Sequence, residues 1–101
     1  MMQGDSYGLM IEILNSDGMS ITLEDVSDVE ISVGLLRKTF ADGEVVYADG
    51  YWVFPLSQEE TFKLPSGKVK AQARVVWANG VVEGVALDEV RVSESISKAV
   101  L

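Results

Sequence analysis

Cysteine and histidine are both missing from the 101 residues. Without cysteine there is no disulfide framework, no thiolate metal site and no thiol nucleophile, so the fold rests on burial and hydrogen bonding, as suits a reducing cytoplasm. The absence of histidine removes the commonest general base, the commonest metal ligand and the one side chain that titrates near neutrality unperturbed. Basic residues are scarce, eight against sixteen acidic, and the formal charge of -8 repels phosphate backbones and anionic lipid surfaces. Nucleic-acid and membrane partners are therefore disfavoured, and solubility is the plainest role of the charge. No apolar run approaches the roughly 20 residues that span a bilayer. The opening MMQGDSYGLM has no basic residue and no sustained apolar stretch, so it does not read as a secretory signal.

Long helical periodicity is absent as well. What is present is 48% hydrophobic content in a chain the size of one domain, enough for a single core. Turn pairs punctuate it at Asp17-Gly18, Asp42-Gly43, Asp49-Gly50 and Asn79-Gly80, dipeptides that accept the positive φ angles of tight hairpins. Short β-branched and aromatic runs lie between them, and this spacing predicts an antiparallel sandwich or barrel. Gly8 to Leu14 alternates, with Leu9, Ile11 and Ile13 on one face, and Met19 to Leu23 is its short return. Asp28 to Val33 alternates more cleanly, with Val29, Ile31 and Val33 inward. Gly34 to Gly43 has no clear period and reads as a connection.

Glu44 to Tyr47 and Tyr51 to Pro55 form a predicted hairpin around Asp49-Gly50, in which Tyr47 faces Trp52 and Val46 faces Val53. Ser57-Gln58-Glu59-Glu60 has the form of a capping box, so one short helical turn is expected from Gln58 to about Leu64, stopped by Pro65 and Gly67. Lys68 to Trp77 reads as one strand with Val69, Ala71, Ala73, Val75 and Trp77 inward. A two-residue Asn79-Gly80 turn would then place Trp77 opposite Val82 and Ala73 opposite Ala86. That register sends Asp88 inward, so a bulge is expected at Asp88-Glu89. The whole chain, residues 1 to 101, is expected to be a single domain.

Nothing in the residues identifies a reaction. Asp25, Asp28 and Glu30 do not match a calcium loop, Asp88 and Glu89 point to opposite faces of a strand, and no serine has a histidine partner or sits in G-x-S-x-G. A non-enzymatic protein without metal or cofactor is the expectation. Lys63, Lys68, Lys70 and Arg74 are expected to pair across strands with Asp28 and Glu30 or with Glu12. Of the aromatics, Trp52 and Trp77 read as core, while Tyr47 and Tyr51 near the hairpin tip are candidates for surface contact.

DVEISVG, then DGYWVFPLSQEETFKL, then KVKAQARVVWANG, and a closing RVSESISKAVL follow one another in that order. From about Asp28 to Leu101 the chain resembles small proteins encoded in the structural, usually tail, gene modules of prophages from Gram-positive bacteria. More distantly it is similar to the N-terminal β-sandwich domain of phage baseplate upper proteins. The resemblance implies an immunoglobulin-like antiparallel β-sandwich and a virion or assembly component, present in the host cytoplasm during assembly or in the virion. It implies binding to other phage structural proteins, with self-association as a further option, and no catalysis. Exposed strand edges and the C-terminal tail are the expected contacts, with Ile96, Val100 and Leu101 as docking residues beside Tyr47 and Tyr51. The rival reading is a carbohydrate-binding accessory module that stacks sugars on Tyr47, Tyr51 and Trp52.

Overall fold

The computed structural model describes residues 7–15, 17–87 and 90–92, with Tyr7 and residues 90–92 described by backbone alone. Along the chain run β1 (Tyr7–Ile11), β2 (Val26–Val33), β3 (Leu36–Thr39), β4 (Val46–Ala48), β5 (Tyr51–Leu56), α1 (Gln58–Lys63), β6 (Gly67–Val69), β7 (Ala71–Trp77), β8 (Val82–Ala86) and β9 (Val90–Val92). Three strands form one sheet in the order β1-β5-β4, four form another in the order β3-β2-β7-β8, and β6 pairs with β9. Every pairing is antiparallel. Trp52, Phe54 and Leu56 of the first sheet share one core with Val29, Ile31, Val33, Ala73 and Val75 of the second. The fold is thus all-β and sandwich-like. Among the described residues no helix is long and apolar enough to cross a membrane.

Local chemistry accounts for most of the turns. Asn15 holds the first one, its side-chain oxygen accepting from the Asp17 and Met19 amides. Ile13 and Ile21, on either side, are both buried. In the β4–β5 hairpin Val46 faces Val53 and Tyr47 faces Trp52 as the sequence predicts, because Asp49 and Gly50 both take positive φ and make the primed turn that matches strand twist. Ser57 caps α1: its hydroxyl accepts from the Glu60 amide while the Glu60 carboxylate accepts from the Ser57 amide. The helix stops at Leu64, which is extended and buried ahead of Pro65.

Several expectations are overturned. Gly34 to Gly43 is no simple connection, since Leu36–Thr39 is a strand that pairs with β2, Val33 facing Leu36 and Ile31 facing Lys38. Its inward positions are Leu36 and Lys38, and a lysine at an inward position hides the period. The second correction is the register of the β7–β8 hairpin. Val82 faces Val76, Val85 faces Ala73 and Ala86 faces Gln72, one residue away from the predicted pairing. The Gly80 amide donates to the Trp77 carbonyl and the Trp77 amide to the Val81 carbonyl; Gly80 has positive φ. That is a three-residue loop closed by a glycine bulge, and a shift of one residue moves each side chain of β8 to the other face.

In addition, Lys68 to Trp77 is broken at Lys70 into β6 and β7, while the alternation of Val69, Ala71, Ala73 and Val75 holds as buried positions. Trp77 is only half-buried and packs at the margin of the core. The predicted bulge at Asp88-Glu89 lies outside the described residues.

Gly34 begins the tight turn from β2 to β3 with φ of +58°, and a Cβ there would stand 3.1 Å from the Val69 side chain. Left-handed backbone costs a side-chain-bearing residue about 1–2 kcal/mol. Gly34→Ala is accordingly expected to lower stability by about that amount, a fall of roughly 4–16 °C in melting temperature for a domain this size. Thermal denaturation followed by circular dichroism checks it.

Candidate interaction surfaces

Alternation decides which side chains of the three-stranded sheet reach the core. Leu9, Ile11, Tyr47, Trp52 and Phe54 do, so Met10, Val46, Tyr51, Val53 and Pro55 occupy the opposite face. Register then sets Met10, Val53 and Val46 in a row across the three strands. Met10 is 59% exposed, Val46 53% and Tyr51 37%. No charged residue occurs anywhere in β1, β4 or β5, in a chain whose residues are 24% charged. Exposed apolar side chains set in a row with no charge among them are a feature of contact surfaces.

The structure separates the two tyrosines singled out from the sequence. Tyr51 lies on this outer face. Tyr47 points inward, its ring 4.7 Å from that of Trp52, while Phe40 meets Trp52 edge-on at 5.4 Å. The inward placement of Tyr47 follows from its position opposite Trp52 in the hairpin. Tyr47 and Trp52 thus lie inward and Tyr51 outward, so the three do not present one common face to a sugar. Ile96, Val100 and Leu101 lie outside the described residues. Comparison with protein-family models, with curated proteins and with solved structures finds no match.

A second surface is the outer face of the four-stranded sheet, where β8 forms one edge. Glu30 faces Arg74 in register, and Arg74 faces Gly84 on β8. Small residues there leave two adjoining depressions of about 410 and 180 Å³, which share Ser32, Gln72 and Ala86 in their walls. The ion pairing is not the predicted one. Glu30 pairs with Arg37 at 3.7 Å, and among the described residues Lys63, Lys68, Lys70 and Arg74 make no ion pair. The neighbouring strand β3 supplies the cation instead, because Arg37 stands beside Glu30 on the same face.

The other ion pair ties the sheets together. Lys38 reaches from β3 to the Glu60 carboxylate at 2.9 Å, donates also to the Pro55 carbonyl, and lies 5.3 Å from the centre of the Phe54 ring. The two side chains are 14% and 25% exposed. Burial pushes the Glu60 carboxyl up, but the Ser57 amide, the Lys38 ammonium and the Ser57 hydroxyl outweigh it and hold the group below its ordinary value. This is structural chemistry joining helix to sheet. The acidic residues considered as ligands are likewise occupied: Asp25 accepts from Thr22, and Asp28 from the Val29 and Ala41 amides. Among the described residues no three His, Cys, Asp or Glu side chains are grouped to hold a metal.

Proposed function

We propose that the chain is a non-catalytic structural or assembly protein of a prophage, tail-associated, working through contacts with other structural proteins of the same particle. The observation that carries the protein-contact reading is the uncharged outer face of β1, β5 and β4, with Met10, Val46 and Tyr51 exposed on it. An apolar face of this kind is stabilised by burial against a partner, at about 25 cal/mol for each Å² removed from water. The phage assignment is supported by the order of the DVEISVG, YWVFPLSQEET and KVKAQARVVWANG segments. Such a protein works in the host cytoplasm during assembly, or in the virion, without nucleic acid, membrane or cofactor.

We also infer an immunoglobulin-like arrangement of the sandwich. The orders β3-β2-β7-β8 and β1-β5-β4 parallel the C′-C-F-G and B-E-D sheets of that fold. The buried tryptophan stands on β5 rather than on the strand equivalent to C, and the chain has no cysteine for the inter-sheet bridge.

The test is sedimentation of particles and tail precursors from an induced lysogen carrying the gene, with the chain detected by antibody. It is expected to travel with them. Met10→Glu combined with Val46→Glu is expected to abolish co-sedimentation while the isolated variant keeps its circular dichroism spectrum. Absence from particles and all precursors alike would overturn the reading, as would unchanged co-sedimentation of the charged variant for this face.

A further inference from the structure

The two backbone bonds at the ends of the β7–β8 ladder decide what β8 offers to its other side. Trp77 N donates to the Val81 carbonyl and Leu87 N to the Ala71 carbonyl. In an antiparallel pair the hydrogen-bonded positions alternate, so Val81, Glu83, Val85 and Leu87 direct their backbone groups to β7. Val82, Gly84 and Ala86 direct theirs away from it. Among the described residues no strand pairs with that edge. β8 carries no proline and no lysine, two of the residues that block an edge. Its one charge, Glu83, accepts a hydrogen bond from the Trp77 indole and belongs to the opposite face.

We propose that the outer edge of β8, which no described strand covers, binds an extended acidic segment of a partner protein as an added strand, its carboxylates lying over Gly84 and Ala86 toward Arg74 and Lys70. This deepens the protein-contact reading, on which it rests, by naming an edge and the chemistry of what fills it. A strand added to β8 lies about 10 Å from β7, two strand spacings. Arg74 stands directly opposite Gly84, where no side chain blocks the way from guanidinium to edge. Lys70 and Gln72 line the depressions beside Ala86. Neither Lys70 nor Arg74 has an ion-pair partner among the described residues, and Glu30 is engaged by Arg37.

Charge chooses between occupants. A second copy paired strand to strand through β8 would present only Val82, Gly84 and Ala86 on this face, leaving both sets of cations unpaired. An acidic strand neutralises them, and its backbone satisfies the edge, the arrangement by which peptides augment sheets elsewhere.

Fluorescence anisotropy with a labelled peptide of alternating glutamate and valine tests this on the full chain. The peptide is expected to bind, more weakly as salt is raised, and its counterpart with lysine for glutamate at least about tenfold more weakly. Gly84→Pro removes an amide that points away from β7, a position where an edge strand tolerates proline; it is expected to weaken binding by about tenfold or more. Arg74→Glu leaves the edge intact and is expected to reverse the preference between the two peptides. Equal binding of both peptides, no saturation by about 1 mM, or affinity unchanged in both variants would overturn the proposal. So would a dimer in sedimentation equilibrium that Gly84→Pro dissociates, which assigns the edge to a second copy. A chain that binds the acidic peptide yet is absent from particles and precursors sinks the phage reading alone; the reverse result sinks this one alone.

Discussion

Trp52→Ala is expected to cost about 3–5 kcal/mol of folding free energy, the range for deleting a buried indole. Trp52 is fully buried at the centre of the first sheet, and three separate supports converge on it. Phe40 meets it edge-on and Tyr47 lies tilted against it, each aromatic pair adding about 0.5–1.5 kcal/mol beyond area burial. Its indole N–H donates to the Ile21 carbonyl at 3.2 Å, which fixes the short return after the Asn15 turn onto β5. Truncation leaves that carbonyl without its partner as well as leaving a cavity. Domains of this size hold about 5–15 kcal/mol in total, so the variant loses a large share of its stability. Urea denaturation followed by Trp77 fluorescence measures the loss. A cost under about 1 kcal/mol would show that the packing around Trp52 is not the centre of the core. Trp77→Ala serves as contrast: Trp77 is half-buried at the core margin and its N–H meets an exposed Glu83, so its truncation is expected to cost less.

The elements that could be read from the sequence are those whose local chemistry and burial agree. In β2, Val29, Ile31 and Val33 alternate with Asp28, Glu30 and Ser32, and all three apolar residues are buried. The Ser57–Glu60 box and the Asp49-Gly50 turn are settled within four residues of chain, so their geometry does not depend on distant partners. Strand β3 escaped because its inward face carries Lys38, whose partner Glu60 lies 22 residues away. The β7–β8 register escaped because Asn-Gly serves both a two-residue primed turn and a three-residue loop with a glycine bulge. The Trp77–Val81 and Gly80–Trp77 bonds distinguish them.

The same one-residue shift decides how the surface reads. In the predicted register Gly84 and Ala86 face the core beside Ala73 and Val75; in the structure they lie outward beside Arg74 and Gln72. Gly84 and Ala86, which the predicted register turns inward, instead open the groove along the edge of β8. Met10 and Val46 were legible only in part. Each follows from alternation, but their meaning comes from the strand order β1-β5-β4, which sets them in one row with Val53. That adjacency joins residues from three distant stretches of chain. Single-strand patterns do not carry it.

Acid sensitivity is expected to centre on the Lys38–Glu60 pair. The carboxyl of Glu60 is held below its ordinary value of 4.5 in the folded chain. A depressed folded value means that the unfolded state binds the proton more readily, so stability falls with falling pH. The contribution is complete above the unfolded value, near 4.5, and is lost as the pH drops through the folded value. Glu60→Gln isolates this charge, because glutamine still completes the cap with Ser57. It is expected to be less stable than the native chain by about 1 kcal/mol at pH 7, with the difference vanishing well below pH 4.5. Lys38→Ala removes more: the charge-assisted bond to Glu60, the bond to the Pro55 carbonyl and the contact with the Phe54 ring. Its cost at pH 7 is expected to be about 1.5–3 kcal/mol, and part of it persists in acid because the Pro55 bond does not titrate. Denaturant midpoints of the two variants and the native chain across this pH range separate the contributions. A Glu60→Gln difference that stays constant through acidification would place the role of Glu60 in the cap and not in its charge.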